Sequence, residues 1–437
     1  MQTCAALLPS PYTCTMDETT DMATTFGSPA SRADQMLAWN MQLIGHHELA
    51  GFGGVGEGMA IQKTKDGRRI LWLAHESAPK NFTALDVTDP RQLKQLVQTD
   101  LPHARVRSNS LDVVGDIMAV AYQTRDVSTP PAGFDLFDIS TPESPTLITH
   151  FDASGPHSRG VHCLWFVDGQ YVHMASGAAD FTPTHPNDDQ FYRVIDVRNP
   201  SKPTEVGRWW YPGTRMGDSA APPARMPVQF DTGFRVHNAN VFPERPDRAY
   251  LGYIDGGAVI LDISNLAQPT MVSNWRYSPP FNGFCHTVLP LLSRDLLIVS
   301  DECVRDAGGD WPKLVRVVDA RVETNLQPVA ILPMPPYESF ARRGGRYGAH
   351  NLHENLPVET SWRSDTIVVG TFFNGGVRAY DVSNPYQPQE VAYYVPAAPR
   401  LAPSGAIQLN DVYIDDRGLV FTVDRHIGGV YVLEMTV

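Results

Sequence analysis

The chain has 437 residues, a formal net charge of −13 at pH 7 and a hydrophobic fraction of 42%, of which aromatics make up 10% of the chain. The acidic balance argues against nucleic acid or anionic membrane as partner, and no apolar run is long enough to span a bilayer. Five scattered cysteines and an N-terminus without a basic or sustained apolar segment predict a reducing compartment, cytoplasm, rather than secretion and a disulfide framework.

In chain order, residues 1–33 are rich in Thr, Ser, Ala and Pro and are expected to form an N-terminal arm without chemistry. Residues 34–437 read as one repeat domain, which overrides the two or three domains that length alone predicts. The repeat unit is a β-rich run ending in Asp, a turn with Ser, Thr or Asn and Pro, and a second β-rich run. It reads Thr83-Ala84-Leu85-Asp86-Val87-Thr88-Asp89-Pro90, then Leu136-Phe137-Asp138-Ile139-Ser140-Thr141-Pro142, Val194-Ile195-Asp196-Val197-Arg198-Asn199-Pro200 and Ile260-Leu261-Asp262-Ile263-Ser264-Asn265. Val317-Val318-Asp319 and Ala379-Tyr380-Asp381-Val382-Ser383-Asn384-Pro385 complete it. A period of about 60 residues with four strands per unit predicts an all-β propeller. A seventh third strand, Val430-Tyr431-Val432-Leu433, has no outer strand after it. Met41-Gln42-Leu43-Ile44 resembles the outer-strand runs and is expected to supply it, giving seven blades closed by both termini with no open edge.

The Asp-Val-Ser-Asn-Pro core within alternating Val, Ile and Leu resembles the LVIVD-repeat β-propellers over roughly residues 36–437. Propellers host unrelated functions, so the resemblance implies a fold and not a reaction. Histidines in a propeller channel are more distantly similar to two enzyme groups. One is the selenium-binding or methanethiol-oxidase proteins, which use propeller histidines for copper, and the other the carotenoid-cleavage dioxygenases, which hold one iron with four.

Aligning the innermost strands puts Glu57, Asn109, His162, His237, His286 and His350 at one register position in six successive blades, with Gln408 or Asn410 in the seventh. Four neutral imidazoles converging from separate strands would be costly without a ligand for their nitrogens, and they predict one transition metal ion. Four nitrogens without thiolate suit Fe(II), Cu or Zn, with iron the first choice by the dioxygenase resemblance. Cys163 and Cys285 adjoin ligands in sequence and are expected on the opposite strand face. His353 is out of phase with His350, whereas Glu354 is in phase and expected behind the ligands. His46, His47, His103, His150, His173 and His185 are expected at solvent-exposed edges.

Second strands return to the same face and bring up His75-Glu76, Gln123, Tyr253, Asp301-Glu302 and Asp424-Arg425-His426. Glu57, Asp301 and Glu302 are the candidate catalytic carboxylates, by fixing an imidazole tautomer or moving a proton. Two long loops, 209–232 and 333–348, carry aromatics and are expected to roof the site. His75, Asn109, Trp210, Tyr347 and His426 are therefore the candidate substrate-pocket residues. No nucleophile elbow, P-loop, dinucleotide fingerprint or zincin motif is present. The expected function is a mononuclear metal-dependent oxidoreductase acting on a small apolar or aromatic substrate. A lyase or hydrolase using the same site, and a non-catalytic binding scaffold, are the alternatives.

Overall fold

The computed structural model describes residues 32–54, 57–75, 79–225 and 232–437. Seven four-stranded antiparallel sheets stand in a ring as the blades of a β-propeller. In five of them the strands follow chain order from the channel outward, from Met59–Lys63 out to Lys94–Asp100 in the first blade to Cys285–Leu291 out to Gln327–Ile331 in the fifth. All but the last two residues of the expected N-terminal arm lie outside the described residues.

The repeated Asp explains why each blade turns where it does. Asp86, Asp138, Asp196, Asp262, Asp319 and Asp381 each use Oδ1 to accept the backbone N–H two residues on, at 2.7–3.0 Å. The Asp89, Asn265 and Asn384 side chains repeat the bond at the next corner, to Arg91, Ala267 and Tyr386. A local side-chain acceptor replaces the ladder partner that the turning backbone loses. The strands between these corners are rich in Val, Ile and Leu and pack blade against blade. Val194 and Tyr192 of the third blade, for instance, share a core with Val236, Leu251, Val259 and Leu261 of the fourth.

The N-terminal segment closes the ring. Met41–His47 pairs with Val430–Met435, with Met41 opposite Met435 and Leu43 opposite Leu433, as the repeat count predicts. Just before it, Leu37–Trp39 pairs with Tyr393, Tyr394 and Val395 on the outer edge of the sixth blade. That blade also departs from the pattern at its inner edge. Its sheet runs from Ile367–Thr371 outward, and the segment carrying His350 joins it only through irregular bonds such as His350 N–H to Thr371 O at 3.0 Å and the isolated bridge of Leu352 with Gly370.

Five of the six other inner strands share a second irregularity, and Met59–Lys63 of the first blade pairs without one. The register slips between Ser108 and Ser110, Val161 and Cys163, Val236 and Ala239, Cys285 and Thr287, and Leu409 and Asp411. Each slip brackets the residue predicted to face the axis: Asn109, His162, His237, His286 and, in the seventh blade, Asn410 rather than Gln408. A bulge leaves its extra residue outside the ladder and re-aims the side chain. In these five blades the ring position is therefore a bulge. No helix among the described residues is long and apolar enough to cross a membrane.

Candidate metal centre

Around the axis the imidazoles form a chain of ring contacts, His162 to His237, His237 to His286 and His286 to His350, with centroids 4.2, 3.9 and 4.8 Å apart. In every ring Nδ1 is held from behind. His162 Nδ1 lies 3.0 Å from Gln123 Oε1, His237 Nδ1 2.7 Å from Asn238 Oδ1, His286 Nδ1 2.7 Å from Thr287 Oγ1 and His350 Nδ1 2.7 Å from the carbonyl of Asn410. A carbonyl or amide oxygen accepts only from a protonated Nδ1, so at His237 and His350 this arrangement leaves Nε2 unprotonated, as outer partners of metal-bound histidines do, whereas the Thr287 hydroxyl can donate or accept and His162 Nδ1 also lies 3.3 Å from the Asn109 amide nitrogen.

Two glutamates complete the centre. Glu57 Oε1 is 3.0 Å from His286 Nε2 and 3.8 Å from His237 Nδ1. Glu302 is 3.6 Å from His350 Nε2 and 3.8 Å from His237 Nε2, and its Oε1 accepts from Arg346 at 2.9 Å. Among the described residues, two donor sets are close enough to hold an ion: Glu57, His286 and His350, and His237, His286 and Glu302. His286 belongs to both, and its buried Nε2 has no hydrogen-bond partner. Among the described residues, His162 stands to one side and belongs to neither set. Its Nε2 is 2.7 Å from that of His237; with both rings neutral and His237 protonated at Nδ1, His162 carries its proton on Nε2 and donates it to His237.

Burial sets the protonation of this centre. It lowers all four imidazoles, His237 and His286 to about 4 and His162 and His350 well below their ordinary value, so each is neutral at pH 7 and able to donate a lone pair. Burial also raises Glu57 to about 8, against the pull of His237. For Glu302 burial opposes ionisation, but His350, Arg346, His286 and His237 outweigh it and hold the carboxyl below its usual range. The two glutamates thus differ: one keeps its proton at neutrality and the other does not.

Behind the ligands, Glu354 accepts from Asn238 at 2.9 Å and Asn240 at 3.0 Å, reaching His237 through Asn238. Asn109 donates to Glu57 at 3.3 Å and to the carbonyl of His162 at 2.8 Å. Cys163 and Cys285 are buried free thiols in the inter-blade cores. His353 spends both ring nitrogens on Trp362 O and the Ile414 N–H.

Several expected site residues lie elsewhere. Asp301 points away from Glu302 into the blade, where Arg316 at 2.9 Å, the Tyr277 hydroxyl and the Leu314 N–H hold it, because neighbours on a strand face opposite sides. His75 is committed at both ring nitrogens, to Gly53 O and Thr83 Oγ1. Glu76 lies outside the described residues. Tyr347 is buried against Trp311 and Tyr337 with its hydroxyl on Pro335 O, and Trp210 packs on Phe181 and Phe191 with its indole on Asp218. His426 does not line the cavity over the centre, and its backbone N–H bonds Asp424. His173, expected at the surface, is buried against the Tyr192 hydroxyl.

The aromatic roof is thus replaced by something else. A cavity of about 140 Å³ opens over the imidazoles, and its wall includes Arg107, Arg159, Arg235, Arg346 and Arg425, with Ile254, Phe284 and Val304 as its apolar members. Arg107 and Arg235 each precede a ring residue, Asn109 and His237, by two positions, which puts them on the same strand face. That offset was readable in the sequence.

Fold and repeat together define a seven-bladed β-propeller carrying LVIVD repeats. The LVIVD repeat model matches residues 189–210 and 247–276, in the third and fourth blades. Among solved structures, the chain is similar to a structural-genomics target from Lactobacillus plantarum at 12% identity, with a TM-score of 0.51 over 77% of this chain and 85% of that one. This likeness is one of fold. No curated protein matches the chain.

Proposed function

We propose that the protein is a mononuclear metal-dependent enzyme of oxidoreductase type. The observation that supports this reading is the convergence of buried imidazoles with Glu57 and Glu302 into close donor sets, with Nδ1 of His237 and His350 on acceptors that leave Nε2 unprotonated. Both close donor sets consist of two imidazoles and one carboxylate, the composition that suits non-haem iron(II) with open positions. Iron is therefore the first choice and copper the second, and such an ion would supply the redox chemistry. The chain's residues would do the rest. His237, His286 and His350 with Glu302 or Glu57 would hold the ion, His162 would flank it, and Arg346 would orient Glu302.

A non-redox reading rests on one specific feature. Glu57 is held protonated at neutral pH beside the cavity, so it is placed to give a proton to a bound carbonyl or leaving group, as a lyase or hydrolase needs. Elemental analysis of protein purified without an affinity tag tests the metal reading, with about one transition metal ion per chain expected. Parent and His286→Ala protein equally free of metal would leave only a binding scaffold. Oxygen consumption during turnover then separates the redox from the non-redox reaction.

A further inference from the structure

At the end of the blades away from the imidazoles, one blade breaks a rule that the other six keep. Each second strand sets a residue opposite the third-strand position two before the turn Asp, or before Glu434 in the seventh blade. Six blades hold Trp72, Ala119, Tyr250, Ile298, Val369 and Phe421 there, and the third holds His173. His173 is only 5% exposed and faces the fourth blade, because its strand neighbours Val172 and Met174 pack toward the second. Burial lowers it to about 4, so the ring is neutral at pH 7. Its Nδ1 lies 2.7 Å from the Tyr192 hydroxyl, which is fully buried and has no other partner among the described residues. That hydroxyl proton therefore goes to Nδ1, and the imidazole carries its own proton on Nε2. Among the described residues nothing accepts from Nε2. The side chain lines a cleft of about 600 Å³ between the third and fourth blades. Val167 and Tyr171 form one wall, and Val241, Phe242, Ile263 and Leu266 the other. The acids beside it are committed elsewhere. Asp168 Oδ1 accepts from the Gln170 and Tyr171 N–H groups at 2.7 and 2.9 Å, and Asp247 pairs with Arg248 at 2.6 Å and Arg245 at 3.5 Å.

We infer that this cleft is a second binding site, for a neutral ring-bearing molecule whose one acceptor oxygen, a ketone or ether oxygen, takes the Nε2–H of His173. Its volume falls within the range of small-molecule sites, which combine mostly apolar walls with a few placed polar groups. The walls supply affinity by covering apolar surface, and the donor fixes which end of the ligand enters. A charged molecule would surrender its hydration to walls that offer no counter-charge, since Asp168 and Asp247 are already committed. An apolar molecule without an acceptor would cover the Nε2–H and leave it unbonded, which weakens binding. The site lies at the opposite end of the blades from the metal centre and does not depend on the metal-enzyme reading.

The probe is benzophenone, a neutral two-ring ketone that on irradiation bonds to a C–H group lying against it. Irradiated with the full chain, it should label residues 167–173 and 241–247, as peptide mass spectrometry would record, equally in protein as isolated and after chelation. The hydrogen bond is tested by competition for that label. Acetophenone is one competitor, and isopropenylbenzene, with a methylene group in place of the ketone oxygen, is the other. His173→Phe installs the residue type that Phe421 supplies at this position in the seventh blade. It should weaken acetophenone about tenfold more than isopropenylbenzene, a difference in which the change of shape cancels. Tyr192→Phe frees the tautomer and should give a smaller loss in the same direction. Label scattered over the surface or confined to the imidazole channel, no competition by acetophenone, or both competitors weakened alike by His173→Phe would overturn the inference. None of these results bears on metal content. The position of the label in the parent needs no variant, so a misfolded variant cannot hide the answer.

Discussion

His286→Ala is the substitution on which the metal centre depends most directly. His286 is fully buried, belongs to both close donor sets, and presents an Nε2 that has no hydrogen-bond partner 3.0 Å from Glu57 Oε1. Removing it breaks both sets at once, so metal affinity should fall by more than the 10- to 100-fold typical of losing an outer partner. A hundredfold loss, with metal initially at 100 times its dissociation constant, removes about 2.3 of the roughly 2.7 kcal/mol of linked stability. For a chain of this length that corresponds to about 2.5 °C in melting temperature. Lost packing of the ring lowers stability by a further 1–3 kcal/mol or so, equally in loaded and stripped protein. The informative quantity is therefore the gap in melting temperature between loaded and chelated samples, measured by calorimetry beside metal content by mass spectrometry. The gap should collapse in His286→Ala and shrink partly in Thr287→Val, which removes only the Nδ1 partner. It should persist in His173→Ala, whose ring bonds Tyr192 away from the centre. An unchanged gap in His286→Ala, or an equal loss in His173→Ala, would refute the site.

Three other outcomes follow from the geometry. Glu57→Gln mimics the protonated carboxyl that burial maintains up to about pH 8, so chelated protein should melt within about 0.5 kcal/mol of the parent; turnover should fall about 100-fold, and most metal should be retained through His237, His286 and Glu302, as elemental analysis would record. Deleting residues 429–437 removes the partner of Met41–His47 and bares an apolar sheet edge, so light scattering should show aggregates; a soluble monomer with unchanged melting would contradict closure by the termini. His75, His173 and His353 are pushed by burial to about 4, below the roughly 6.5 of an unfolded histidine. Between those values the unfolded chain binds more protons, so their contribution is complete above pH 6.5 and lost as pH falls toward 4. Melting temperature should drop from pH 7 to pH 5, and drop less in His173→Gln; an identical drop would show that His173 takes no part.

The fold was legible because its punctuation is local. An Asp whose side chain bonds the N–H two residues on, with a Pro shortly after it, needs no distant partner to make a turn, and six copies at a steady period define the blades. The histidine positions were legible for the same reason, being offsets from that punctuation. What period-two reasoning misses is the bulge. It left Gln408 and Asn410 indistinguishable in the seventh blade, and it predicted a regular inner strand around His350 that is not formed. The aromatic loops misled because large rings gain most by packing on one another, as Trp311 does on Tyr347, and not by facing a polar channel. The arginines went unread because a single arginine ordinarily signals a solvated surface. Only the two-residue offset of Arg107 and Arg235 from Asn109 and His237 set those two apart, and Arg425 was placed at the site face by its second strand.

Closure by the N-terminal segment has a kinetic consequence. Leu37–Trp39 and Met41–His47 are among the first described residues to be synthesised, yet their partners lie in Gln389–Val395 and Val430–Met435. During synthesis the first strand must wait, unpaired, until the sixth blade has emerged and the second until the seventh has. Joining ends nearly 400 residues apart would cost an unstructured chain about 5 kcal/mol in loop entropy. Each blade that folds in order shortens the effective gap, so the final step becomes the docking of an eleven-residue strap (37–47) across the seam between the sixth and seventh blades. A ribosome paused before that seam is complete would hold an open ring whose two edges are both free to pair, making the interval before the seventh blade emerges the one of greatest exposure to misassembly.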